Sequence, residues 1–198
     1  MKQEKQKHSI QYMKRFSIFV ATMMMASVMQ AAEKLDLKSI TSGAFSASYV
    51  TGINPIEGTD LYASISSDGK QVVSYSFKTG KQVAVLFDVE AAKAPMKSVE
   101  GYVMSPDGKK MLVFTKSKAV YRRSFKAEYF IYDIARKTIK KLSEGENQQV
   151  ATWSPDSRHI AFVKDNNIFV TDGEKEVQVT KDGKLNEVIN GIPDWVYE

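Results

Sequence analysis

Apolar residues recur along this chain in short, dense runs rather than at helical spacing. Three of them, Val72-Val73-Ser74-Tyr75, Met111-Leu112-Val113-Phe114 and Ile160-Ala161-Phe162-Val163, alternate or are apolar throughout, and they are rich in β-branched and aromatic side chains. That pattern predicts half-buried or fully buried β-strands. Each run follows a polar turn of one type: Ser66-Ser67-Asp68-Gly69-Lys70, Ser105-Pro106-Asp107-Gly108-Lys109 and Ser154-Pro155-Asp156-Ser157-Arg158. Ser105 to Gly108 suits a type I turn, with Ser first, Pro pre-set at the second position and Gly fourth. The aspartates lie 39 and 49 residues apart, the repeat length of one four-stranded propeller blade.

Further strands follow each run. Tyr129–Asp133 and Asn167–Asp172 come next in two of the repeats, and Gln82–Phe87, Thr138–Leu142 and Glu176–Thr180 complete the three units. The first repeat has no clear counterpart of the middle strand. The predicted order is apolar strand, turn, strand, turn, strand. Beyond the leader no segment carries a convincing helical period, since Ala91-Ala92-Lys93-Ala94 is cut short by Pro95. The expectation is an all-β fold, a partial β-propeller of about three to four four-stranded blades, with residues 33–60 a partial blade or a lead-in strand. A partial propeller leaves blade faces exposed, so the isolated chain should be marginally stable.

The first residues differ in kind. Lys2, Lys5, Lys7, Lys14 and Arg15 precede a mostly apolar run, Phe16 to Met29, and small residues follow at Ala31 and Ala32. This reads as a signal peptide over 1–32, with residues 33–198 as the exported propeller portion. The alternative for the same run is an uncleaved anchor, although it is short for a membrane span of roughly 20 residues. Residues 1–31 hold five of the 28 Lys+Arg and one of the 23 Asp+Glu, so the remainder carries a net charge of only +1. The basic balance belongs to the leader, and nucleic acid is not an expected partner. There is no cysteine, so neither disulfides nor thiolate chemistry are available. A bacterial periplasm or cell surface suits such a chain.

Chemistry is sparse in these residues. They contain no Gly-x-Ser-x-Gly elbow, no phosphate loop and no metal-ligand spacing, so no catalytic residue, metal or cofactor is expected. His159 sits at a strand start, and Asp165-Asn166-Asn167 suits a tight turn better than a calcium site. Two stretches carry more. Tyr121 to Tyr129 interleaves aromatic and basic residues; arginine's fixed fork can bind a carbonyl or carboxylate, but spacing alone favours a solvated basic loop. Asn190 to Glu198 ends in Trp195 and Tyr197, which by spacing would be two aromatics packed on one strand face.

That terminal string, Asp194-Trp195-Val196-Tyr197-Glu198 after Asn190-Gly191, resembles the propeller segment of the dipeptidyl peptidase IV family. So do Trp153-Ser154-Pro155-Asp156 with Ile160 to Val163, Asp165 to Val170, and the Arg122 to Asp133 stretch. The resemblance implies an exported serine exopeptidase that releases N-terminal dipeptides after proline or alanine. Its propeller of roughly eight blades would gate and bind peptide, and its triad would lie in a separate hydrolase domain. It implies that Arg122 contacts a substrate carbonyl and that Glu198 begins the glutamate run which binds the substrate amine. It further implies a peptide substrate, a homodimer of the intact parent, and no activity in this chain alone. The alternative is a non-enzymatic periplasmic propeller module that binds a protein or peptide.

Overall fold

A computed structural model describes residues 36–47, 52–145 and 147–197, and the leader expected over 1–32 lies outside them. The chain divides into two units, 1–49 and 50–198. Of the first, the described part is a single helical turn, α1 (Leu37–Thr41). It is a five-residue element in an otherwise all-β fold. Asp36 caps it: its Oδ1 accepts from the Ser39 N–H at 2.7 Å, and the Ser39 hydroxyl accepts from the Asp36 N–H at 3.1 Å. A reciprocal cap of this kind starts a helix without any apolar period.

The second unit holds twelve strands among its described residues: β1 (Asn54–Pro55), β2 (Leu61–Ile65), β3 (Gln71–Ser76), β4 (Gln82–Asp88), β5 (Gly101–Met104), β6 (Lys110–Ala119), β7 (Phe125–Asp133), β8 (Thr138–Lys141), β9 (Gln149–Trp153), β10 (Ile160–Lys164), β11 (Asn167–Thr171) and β12 (Glu176–Gln178). They form three four-stranded antiparallel meanders, β1-β2-β3-β4, β5-β6-β7-β8 and β9-β10-β11-β12. These are three blades of a partial β-propeller. Strands precede the polar turn in every blade, one in the second and third and two in the first, so each unit holds strands ahead of the turn that the pattern does not show. β5 and β9 are short and carry little apolar alternation of their own.

The three polar turns share one construction. The fourth residue's N–H reaches the first residue's carbonyl at 2.9 Å in each, as a type I turn requires. The serine hydroxyl donates to the aspartate at 2.6, 2.7 and 2.5 Å, and it accepts the N–H five residues on at 2.9 Å. The aspartate in turn accepts the N–H two residues on. Position four takes a left-handed conformation in all three, at Gly69, Gly108 and Ser157 (φ 71, 68 and 60°). The placement differs, however. In the second and third blades this turn joins the first and second strands, whereas in the first blade it joins the second and third. The motif is hairpin chemistry and does not mark a fixed place in the blade, which is why the spacings are unequal.

Strand alternation explains the unbroken apolar runs. Met111 and Val113 of β6, with Phe130 and Tyr132 of β7, pack against Ala63, Val72 and Phe87 of the first blade. Leu112 of β6, with Tyr129 and Ile131 of β7, packs against Trp153, Ile160, Phe162 and Phe169 of the third. The middle blade is thus buried on both faces, each large side chain contributing roughly 1.5–3 kcal/mol. Polar bonds also tie the blades. Trp153 Nε1 donates to the Val103 carbonyl at 3.2 Å, and the Asp107 N–H donates to the Ser157 hydroxyl at 3.0 Å. The outer blades leave Phe77, Val83, Val85 and Val177 exposed.

Candidate functional site

β6 and β7 run beyond the rest of their blade. They pair regularly from Lys110–Asp133 to Thr115–Glu128, shift register, and resume at Lys118–Lys126 and Ala119–Phe125. The Val120 N–H then bonds the Ser124 carbonyl at 2.9 Å, which leaves Tyr121, Arg122 and Arg123 at the tip of a projecting arm. Aromatic rings support its root: Phe114 lies 5.1 Å from both Phe125 and Tyr129. Gly101 opposite has no room for a side chain, because a Cβ there would fall 2.1 Å from the Phe114 ring. Arg122 is exposed, and no ion pair holds it among the described residues. Its guanidinium can therefore offer a planar pair of donors to an incoming oxygen.

The register shift is built around Lys116, which adopts φ 53°. The Glu100 carboxylate receives the N–H groups of Lys116 and Ser117 at 2.8 and 2.9 Å, together with the Ser117 hydroxyl. These bonds, the Ser117 hydroxyl first, hold the Glu100 carboxyl below its ordinary range. Lys116 Nζ reaches across to Glu128 at 3.1 Å. Neither glutamate belongs to a motif. Glu100 is 16 and 17 residues from its partners, and only the folded chain brings them together.

Elsewhere the polar groups neutralise one another. A cleft of about 800 Å³ between the second and third blades is lined by Asp107, Lys109, Lys110, Asp133, Arg136, Asp156 and Arg158. Arg136 pairs with Asp133 at 3.1 Å, while Lys109 and Arg158 face Asp107 and Asp156 at 4.0 Å. Hydrogen bonds from Ser105 and Ser154 are the largest causes that lower the Asp107 and Asp156 carboxyls. His159 is exposed next to this turn, as its strand-start position predicts. Asp165 and Asn166 form a two-residue left-handed turn (φ 50 and 60°), and Asn167 Oδ1 accepts from Thr180 and Gly183. No group of metal-ligating side chains occurs among the described residues.

The terminal aromatics differ from expectation. Trp195 and Tyr197 are 70% and 80% exposed and lie in a turn, not on a packed strand. The Asp194 carboxylate draws in the N–H groups of Val196 and Tyr197, which bends the chain there. Glu198 lies outside the described residues, so of the two expected substrate contacts only Arg122 is placed.

Residues 105–198 match the family model of the dipeptidyl peptidase IV (DPP IV) N-terminal region. A probable dipeptidyl-aminopeptidase B of Podospora anserina is 46% identical over 99 residues, 48% of this chain and 11% of its own length. The human prolyl endopeptidase FAP is 35% identical over 170 residues, 83% of this chain and 21% of that protein. The crystal structure of Porphyromonas gingivalis dipeptidyl peptidase 4 superposes with a TM-score of 0.75 at 40% identity, over 84% of this chain and 24% of that one. The chain thus spans a quarter or less of these relatives. Sequence and blade architecture agree, and this chain belongs to the N-terminal region of the dipeptidyl peptidase IV family.

Proposed function

We propose that the chain serves as propeller portion of an exported serine exopeptidase that releases N-terminal dipeptides, and that Arg122 binds a carbonyl of the peptide. The observation that carries this reading is the exposed Arg122 at the tip of the β6–β7 arm, in a fold shared with a dipeptidyl peptidase at 40% identity. A solvated guanidinium on a projecting arm costs little to present, and it gains a directional bond when a peptide carbonyl arrives. These residues supply no nucleophile elbow, so the chain alone turns over nothing. The leader directs it to the periplasm or cell surface.

Two measurements test this. The purified 198-residue chain, free of host peptidases, should leave a Gly-Pro chromogenic substrate intact; turnover would overturn its inactivity. Grafting the chain in place of the matching segment of the Porphyromonas gingivalis enzyme should preserve turnover. There Arg122→Ala should raise KM about tenfold, the worth of one charge-assisted hydrogen bond. An unchanged KM in the folded graft rejects the role of Arg122.

A further inference from the structure

The arm that carries Arg122 cannot hold its own direction. Past the register shift it has two ladder pairs and a turn, and a lone two-stranded ribbon is marginal in water. One of those pairs sets Lys118 against Lys126, like charges directly opposite, with Arg122 and Arg123 beyond them. The root of the arm adds an anchor of its own. There the chain departs from the ladder at Lys116, and its freed N–H groups need an acceptor. Glu100, on the linker between β4 and β5, supplies both carboxylate oxygens to Lys116 and Ser117. Its own backbone N–H is tied to the Phe114 carbonyl at 2.9 Å, so the carboxylate is anchored to β6 just before the shift.

We propose that Glu100 is the positioning residue for Arg122: its carboxylate pins the Lys116-Ser117 bulge and thereby aims the arm at the peptide. This rests on the reading of Arg122 as the carbonyl ligand. The carboxylate must be ionised to accept three donors at once. No charged side chain is a cause of its lowered ionisation, since the Lys116 ammonium goes to Glu128. The nearby Tyr102 phenol is bonded to Asn54, and burial keeps it protonated. The pin therefore persists above the ordinary glutamate range and releases only as pH falls through the lowered value.

The test uses the full 198-residue chain and amide hydrogen exchange. Glu100→Ala should speed exchange over residues 116–126 about tenfold, with Leu112 and Val113 unchanged. Glu100→Gln, which keeps one carbonyl acceptor and serves should the alanine variant fail to fold, should give an intermediate effect. It should also lack the acid-side loss of protection seen in the native chain. Affinity for a Gly-Pro-Gly peptide, measured by calorimetry, should fall in Glu100→Ala and show no further loss when that change is added to Arg122→Ala. Unchanged exchange in the arm, or equal acceleration throughout β5–β8, overturns the proposal alone. If Arg122→Ala leaves peptide binding intact, the carbonyl-ligand reading falls and takes the aiming role with it.

Discussion

Ser105→Ala separates a buried turn hydroxyl from the same hydroxyl in two wetter settings. Ser105 is 2% exposed, whereas Ser66 and Ser154 are half-buried. Its Oγ accepts the Lys110 N–H at 2.9 Å and donates to Asp107 at 2.7 Å. Alanine removes both bonds and leaves an N–H in a place water reaches poorly. A net hydrogen bond is worth about 1 kcal/mol and a stranded donor costs about 1–3, so Ser105→Ala should cost about 2 kcal/mol. Solvent can replace the lost partner at Ser66 and Ser154, where about 1 kcal/mol is expected. With a urea slope of about 2 kcal/mol/M, the midpoints should fall by about 1 M and about 0.5 M respectively. The acid limb should move as well. Asp107 is held below the ordinary 3.8, first by Ser105, so its contribution is present above that value and lost as pH falls beneath it. In Ser105→Ala the Asp107 carboxyl returns toward its ordinary range, so that acid-side loss should shrink. Equal midpoints for the three alanine variants would refute the argument from burial.

Ser157→Ala removes the acceptor of the Asp107 N–H but keeps the left-handed backbone, so it should lower stability by about 1 kcal/mol. Ser157→Gly loses the same bond and relieves the strain, and should be close to neutral; a thermal melt in which glycine is the worse of the two contradicts this. The Tyr129 phenol is pushed up to about 12 by burial. It should be the last tyrosine to ionise in an ultraviolet titration, and Tyr129→Phe should abolish that late step. Because the unfolded phenol ionises near 10, stability should decline as pH rises through 10 toward 12.

Local chemistry made much of the fold readable. Ser-Pro-Asp-Gly predicts the hairpin at 105–108, and the runs at 111–114 and 160–163 predict β6 and β10. The position of the first copy was not readable in the same way. Ser66 to Gly69 carries the same turn bonds yet sits one strand later in its blade, since a turn motif records how two strands join and not which two. α1 escaped because a helix of one turn, started by Asp36 and Ser39, shows no period. The basic and aromatic pattern marked the stretch 121–129, but only the family resemblance singled out Arg122 within it. Glu100 gave no sequence signal, because its meaning lies in two backbone N–H groups 16 and 17 residues away.

The double burial of the middle blade has a consequence for how its strands find their alignment. In a strand with one wet face, a slip of one residue drives polar groups inward and is rejected at once. In β6 a slip would merely exchange Met111 and Val113 with Leu112 and Phe114, apolar side chains on either side. Greasiness cannot choose between those alignments. The choice falls to groups that tolerate only one: the Ser105 hydroxyl counting five residues to Lys110 at one end, and the Glu100 carboxylate receiving Lys116 and Ser117 at the other. In this blade the apolar residues supply cohesion, and a few polar atoms at the two ends of β6 set the count.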